Sequence, residues 1–327
     1  MSSSIVSVDS SAGSATLYQV DLLTDVITST RLEGRLLHQT SFHSPWGLHF
    51  PCPRSAGFHI VTQGQVWVRS PHLEAPLSLS RGDALLVGRG VAHELASGPE
   101  VPAVSLEAFS QQHDAALPPR GARPLSTLVC GVYTFQNEAV HPLFDTLPRF
   151  FVLTAEEVPA PSALQAALLL LTAELKNEQP GREIVLHRLT DLLFVALLRH
   201  WMAEESVRAT LGPSWSRALR DPGLGRALEA MHSEVARDWT LESLAQQAGL
   251  SRAAFAARFK SLTGETPFHY LTRLRVQRAV DLMKTNDPSL QELAAHTGYA
   301  DAFAFSKAFK RMMGASPRAF RKTVERR

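Results

Sequence analysis

Apolar positions change their period along this 327-residue chain, and each change predicts a different kind of structure. From about 16 to 155 they gather in short runs rich in β-branched and aromatic residues, such as Gly57-Phe-His-Ile-Val61, Gln65-Val-Trp-Val-Arg69 and Ala84-Leu-Leu-Val87. Gln63-Gly64, Ser70-Pro71, Arg81-Gly82-Asp83 and Gly88-Arg89-Gly90 punctuate these runs. Strands at that rhythm predict an all-β sandwich or barrel. Past Pro161 the period becomes helical. Leu164, Ala167, Leu168, Leu171 and Leu175 share one face, and Asn177-Glu-Gln-Pro-Gly181 ends that helix. A second helix over 184–202 carries Leu186, Leu189, Leu193, Val195, Leu197 and Leu198. Apolar nearly all round, it predicts burial against a partner helix or a second subunit. Periodicity lapses over 204–216, where Gly212-Pro213 marks a linker.

Beyond the linker one pattern is written twice. Asp221-Pro222 opens a helix as N-cap with proline at the first position. Then Leu241–Gly249, a helix to Phe259-Lys260 and Gly264-Glu-Thr-Pro267 are matched by Leu290–Gly298, a helix to Phe309-Lys310 and Gly314-Ala-Ser-Pro317. A short helix, a glycine turn and a longer amphipathic helix describe a helix-turn-helix. A helix over 268–284 joins the copies, and Ser289 caps the helix that follows. Two such units in this span predict a reader of double-stranded DNA, with the second helix of each in the major groove.

Charge sharpens that division. Residues 217–327 hold 19 Lys and Arg against 11 Asp and Glu, while the rest holds 14 against 20. A basic C-terminal part on an acidic N-terminal one fits a nucleic-acid module joined to something else. Two cysteines, Cys52 and Cys130, are too few for a disulfide framework. The start, MSSSIVSVDSS, has neither a basic region nor an apolar core, and no run is long enough to cross a membrane. A cytoplasmic, reduced protein is expected.

Within the first reading helix, Phe255, Phe259 and Leu262 form the inward stripe, leaving Ser251, Arg252, Ala253, Ala257, Arg258 and Lys260 outside. Within the second, Phe303, Phe305 and Phe309 are expected inside, leaving Asp301, Ala302, Ser306, Lys307 and Lys310. Arg252 suits bidentate hydrogen bonds to a guanine. Lys260 and Lys310 suit phosphate contacts that fix register. Asp301 either accepts from a cytosine or caps its helix.

Phe-Lys-x-x-x-Gly-x-x-Pro after each unit, with Arg275-Val-Gln-Arg-Ala279 between them, resembles the AraC/XylS transcription regulators. The resemblance covers about 100 residues. It implies two recognition helices in successive major grooves, a separate N-terminal domain for sensing or dimerisation, and contact with RNA polymerase. Ala302-Phe-Ala304 departs from the serine-rich start usual there. In the N-terminal half, Gly82-Asp83…Gly88-Arg-Gly90-Val-Ala-His93 resembles the second cupin motif, with Gly88 in place of the usual proline. The His-x-His pair and the Glu of the first cupin motif are missing; only His59 remains. Trp46, His59, Gly64, Gly82-Asp83, Gly90, His93, Cys130-Gly131 and Pro142-Leu143 resemble the cupin-type sensor domains of some AraC-like regulators.

The expected fold is therefore α+β and multidomain. A tail over 1–15 precedes a cupin-like domain over 16–203, with its barrel over 16–155 and its helical pair over 161–203. A linker over 204–216 leads to an all-α tandem helix-turn-helix domain over 217–327. His59, His93 and Cys130 either converge on zinc or another divalent metal or hydrogen-bond to one another in the core. Cys52 is a fourth candidate ligand, and Cys130 a candidate redox switch. The effector is a small molecule, a metal or an oxidant. The helical pair either forms a homodimer seam or covers the barrel. The alternative function is a metal-dependent cupin enzyme.

Overall fold

The computed structural model describes residues 22–30, 33–43, 45–113, 124–135, 141–158, 160–176, 179–208, 213–285 and 287–324. The expected tail over 1–15 lies outside them. Helix α1 (Leu22–Thr30) leads into β1 (Glu33–Phe42), β2 (Gly47–Phe50), β3 (Ser55–Gln63), β4 (Gln65–Arg69) and β5 (Leu77–Ser80). There follow β6 (Ala84–Val87), β7 (His93–Ala96), β8 (Val104–Ser105), α2 (Leu106–His113), β9 (Ser126–Thr134), α3 (Pro142–Asp145) and β10 (Phe150–Leu153). They form two five-stranded sheets, ordered β1-β9-β3-β6-β10 and β5-β4-β7-β2-β8, rather than one closed barrel.

Alternation along the strands explains what each sheet buries. From β3, β6 and β9, the side chains of Phe58, Ile60, Ala84, Leu86, Val129 and Tyr133 point away from the second sheet into a core shared with helices. The intervening Val61, Leu85, Val87, Leu128 and Cys130 fill the space between the sheets with Phe42, Trp46, Phe50, Val66 and Leu95. The inner strands β3, β6 and β9 of the first sheet are thus buried on both faces, which is why they carry nearly continuous apolar runs. Gly131 lies opposite Phe58 in register, and a Cβ there would sit 2.4 Å from the Phe58 ring.

The helices α4 (Ala163–Leu175) and α5 (Arg182–Arg208) cover the outer face of that sheet. Ser162 caps α4 through its hydroxyl, which accepts from the Gln165 amide. Leu164, Ala167, Leu171, Leu186, Leu193 and Leu197 are buried. α5 packs against α4, the partner helix of the two alternatives, and leaves Ile184, Val185 and Leu192 exposed beside Leu169 and Leu170 of α4. The segment 204–216 also departs from a plain linker. It starts in α5 and ends in α6 (Trp215–Arg220), whose Trp215 is fully buried; 209–212 lie outside the described residues.

The C-terminal helices are α7 (Pro222–Ser233), α8 (Leu241–Ala248), α9 (Arg252–Thr263), α10 (Pro267–Thr285), α11 (Leu290–His296), α12 (Ala302–Met313) and α13 (Pro317–Val324). Asp221 caps α7 by accepting from the Gly223 and Leu224 amides, with Pro222 at the first position as the sequence predicts. The first helix-turn-helix does not have a core of its own. Leu244, Phe255, Phe259, Tyr270, Leu271 and Leu274 belong to the cluster that also holds the outer face of the sheet. The second head is separate: Val276, Val280, Leu293, Phe305 and Phe309 form another cluster. α10 therefore serves both, its N-terminal half giving one face to the first core and its C-terminal half giving the opposite face to the second.

Candidate nucleic-acid interface and the buried histidine chain

Each reading helix is set by the shorter helix before it. Thr240 and Ser243 close a capping box at the start of α8, and Ser289 and Glu292 close one at α11. The chain then turns through Gly249 (φ 70°) and Gly298 (φ 72°), where a side chain would be strained. Ser251 caps α9 by accepting from the Ala254 amide. Phe255 and Phe259 are fully buried and Leu262 packs against them. Arg252, Ala253, Ala257, Arg258 and Lys260 are all exposed, as the pattern predicts.

Arg258 is exposed yet committed. Its guanidinium grips the Asp221 carboxylate, the same group that caps α7. It braces α9 against α7 instead of remaining free to read bases.

In α12, Asp301 takes the capping role of the two open to it, its Oδ1 accepting from the Ala304 amide at 2.7 Å. Phe305 and Phe309 are buried, Ala302 and Ser306 half-buried, Lys307 and Lys310 exposed. Phe303, expected in the inward stripe, is 79% exposed. Residues two positions apart on a helix point about 200° away from each other, so Phe303 must face away once Phe305 faces in.

In the N-terminal half His59, His93 and Cys130 do meet. His59 and Cys130 sit opposite each other in register on β3 and β9, and His93 reaches across from β7 of the second sheet. All three are buried. They form a chain, not a convergent set. His93 Nδ1 lies 3.0 Å from the Val91 carbonyl oxygen, which only accepts, so that nitrogen carries the proton. His93 Nε2 then accepts from His59 Nε2 at 2.9 Å, and His59 Nδ1 accepts from the Cys130 thiol at 3.0 Å. Every donor and acceptor is used with all three groups neutral. The Phe50 ring lies parallel to the His93 ring at 5.1 Å.

Burial, followed by the neighbouring His93, holds His59 well below the usual imidazole range; burial likewise lowers His93. Burial pushes the Cys130 thiol up to about 12. These residues do not fit a metal. His59 turns a different nitrogen to each partner and so stands between them. Among the described residues no group of three His, Cys, Asp or Glu is arranged to hold an ion. Cys52 joins no such group either; it is half-buried in a turn at φ 43°. A buried thiol with a raised pKa is also the opposite of what a redox switch requires.

A second histidine chain, not visible in the sequence pattern, joins the two halves. His141 Nδ1 accepts from the Leu143 amide at 3.1 Å, so its Nε2–H donates to the Tyr270 hydroxyl at 2.9 Å. That hydroxyl donates to His232 Nε2 at 2.7 Å, and His232 Nδ1 lies 3.5 Å from the Asp25 carboxylate. The chain runs from the start of α3 to α10, α7 and α1. Trp215 packs on both His141 and Tyr270. Burial is the main cause that depresses the His141 pKa far below the usual range, with His232 and Arg273 adding to it.

Comparison with known proteins agrees with this architecture. A family model described as a cupin matches residues 21–203, and one described as a helix-turn-helix domain matches residues 244–323. A Streptomyces lividans protein named as an AraC-like transcription regulator is 30% identical over 93% of this chain and 98% of its own. The transcriptional regulator AlkR of Acinetobacter baylyi is 28% identical over 92% of this chain and 99% of its own. The RCS-specific transcriptional activator RclR of Escherichia coli is 28% identical over 80% and 90%. No helix among the described residues is long and apolar enough to cross a membrane.

Proposed function

The chain belongs to the AraC-like transcription regulators, and from that membership we propose how its residues divide the work. It is a DNA-binding regulator whose cupin-like domain senses a ligand. α9 and α12 enter successive major grooves on one face of the duplex. The observation that carries this is their likeness. Both are twelve residues long, both are capped at the first turn, and both bury a Phe pair while exposing basic residues. α10 ties them together. Arg252 reads a guanine. Lys260 and Lys310 hold phosphates, with Ser251, Ala253, Ala257, Ala302, Ser306 and Lys307 along the approach. Asp301 and Arg258 act from behind as cap and brace.

The effector is a small molecule. The linear histidine chain and the inert thiol weigh against a bound metal and against oxidation at Cys130. The same chain, satisfied within itself, offers no base or nucleophile for turnover, so the cupin-like half acts as a sensor and not as an enzyme. The protein works in the cytoplasm as a homodimer, which suits paired half-sites, and touches RNA polymerase. The exposed stripe Ala163, Ala166, Leu170 and Ala173, with Leu169, Ile184, Val185 and Leu192 beside it, supports a seam between two copies of the helical pair.

The test uses the whole chain, because the first head shares its core with the sensor half. Purified protein should enrich one sequence from random DNA. Arg252→Ala should then cost about 1–3 kcal/mol at one base position, and Lys260→Ala should weaken all sequences and lower the salt slope by about 1. A uniform loss for Arg252→Ala would move it to the phosphate class, and no enrichment at all would overturn the reading.

A further inference from the structure

The outward tip of the second recognition helix is apolar. Phe303, at 79%, is the most exposed large hydrophobic side chain among the described residues. It stands at the second position of α12, and the exposed face continues one and two turns on with Lys307, Lys310 and Arg311. Helices α9 and α12 match position for position, since Phe255 and Phe259 correspond to Phe305 and Phe309. Where α12 presents Phe303 and Lys307, α9 presents Ala253 and Ala257. The two heads thus differ at the positions that face the groove.

The surroundings of Phe303 leave it few polar competitors. The Asp301 carboxylate is turned back onto the Ala304 amide. Ala302 and Ala304 are small and half-buried. The neighbouring charges on the face are cationic, which suits a polyanion and not an apolar protein surface. In a major groove an apolar side chain finds one apolar feature on the base edges, the C5-methyl group of thymine.

We infer that Phe303 is a specificity-determining residue that reads the C5-methyl of thymine in the part of the operator beneath α12. This rests on α12 entering a major groove. The second head is then a sequence reader by apolar contact, complementary to a first head that reads through Arg252. Lys307, one turn further from the tip, brings a phosphate against the same helix face and seats the ring on the groove floor.

Deoxyuracil keeps thymine's pairing and removes only its methyl group, so it isolates this contact. The operator selected by the full-length protein is remade with each thymine replaced in turn. One or two adjacent positions under α12 should lose affinity about three- to tenfold. Phe303→Ala should lose affinity for the unmodified operator by a similar factor and become indifferent to deoxyuracil at those positions. Arg252→Ala should keep the thymine-to-uracil ratio of the wild type. Because Phe303 is exposed and alanine favours helix, circular dichroism should be unchanged. If the wild type ignores every thymine methyl in that half, or if Phe303→Ala keeps the wild-type ratio, the inference is overturned. Intact DNA binding by Phe303→Ala with lost transcription would overturn it too and give the ring to a protein partner. Failure to select any sequence would sink the two-groove reading itself, an outcome readily told apart from the others.

Discussion

At the scale of single residues, the buried histidines are kept neutral by position. His59, His93 and His141 all lie below the usual imidazole pKa, with burial the leading cause in each. An unfolded chain takes protons on these rings near pH 6.5, whereas the folded chain does not until lower pH. The unfolded state then binds more protons, so stability should be level above about pH 7 and fall as pH drops below about 6.5. The slope is about 1.4 kcal/mol per pH unit for each ring that stays neutral. Urea unfolding at pH 8, 7, 6 and 5.5 measures it; a midpoint that stays put down to pH 5.5 would contradict the neutral chains. Cys130 makes a companion prediction. With its pKa pushed up to about 12 and its S–H held in a hydrogen bond to His59, the thiol should resist alkylation at pH 8 in the folded protein and react once urea unfolds it. Mass spectrometry of the labelled peptide distinguishes it from Cys52.

At the scale of elements, one helix face decides what a substitution does. Leu193 and Leu197 point into the sheet core, so Leu193→Asp buries an unpaired charge and should unfold the chain. Leu170 and Leu192 point outward at 59% and 43% exposure. Leu170→Asp and Leu192→Asp should leave circular dichroism unchanged and turn dimers into monomers by light scattering. Dimers that survive both changes would remove the helical pair as the seam. The order of these helices and the inner face of α4 were legible in the sequence, but α5 runs past both expected ends and its rotation was unmarked, since a helix apolar nearly all round has no sequence-marked inner face. The same limit explains Phe303. Three phenylalanines at 303, 305 and 309 look like one stripe, yet only 305 and 309 are four apart, and that pair sets the rotation. Capping is local, so Asp221 and Ser289 were legible as caps and Asp301 as one of two roles, whereas Ser251, read as an outward residue, also caps its helix; each binds an amide two or three residues on. The partners of His59 and His93 were legible as a group, but whether they converge or chain depends on which nitrogen each ring presents. Spacing along a strand does not carry that.

At the scale of the whole molecule, the sensor half and the first head share one hydrophobic core, and the second head has another. Tyr270 sits where the cores meet, fully buried, its hydroxyl accepting from His141 of the sensor half and donating to His232 of α7. Neither this chain nor the shared core was legible in the sequence, because His141 and Tyr270 are 129 residues apart. Tyr270→Phe keeps the ring and its packing on Trp215 but strands one donor and one acceptor away from water. Such a loss costs about 1–3 kcal/mol. The cost should spread through the shared core and not beyond it. Amide hydrogen exchange in β3, β9, α8 and α9 should quicken together and by a similar factor, since they open in one cooperative step. Amides of α11 and α12, packed in their own cluster, should change much less. If α8 and α9 instead exchange independently of the strands, the two halves are not one unit. A ligand-driven change in the sensor domain would then have no packed route to the first reading helix. If they exchange together, any signal that loosens or tightens the sheet's outer face alters Arg252's helix directly and reaches Phe303's helix through α10 and through the turn at Ala236, which lies against Gly298.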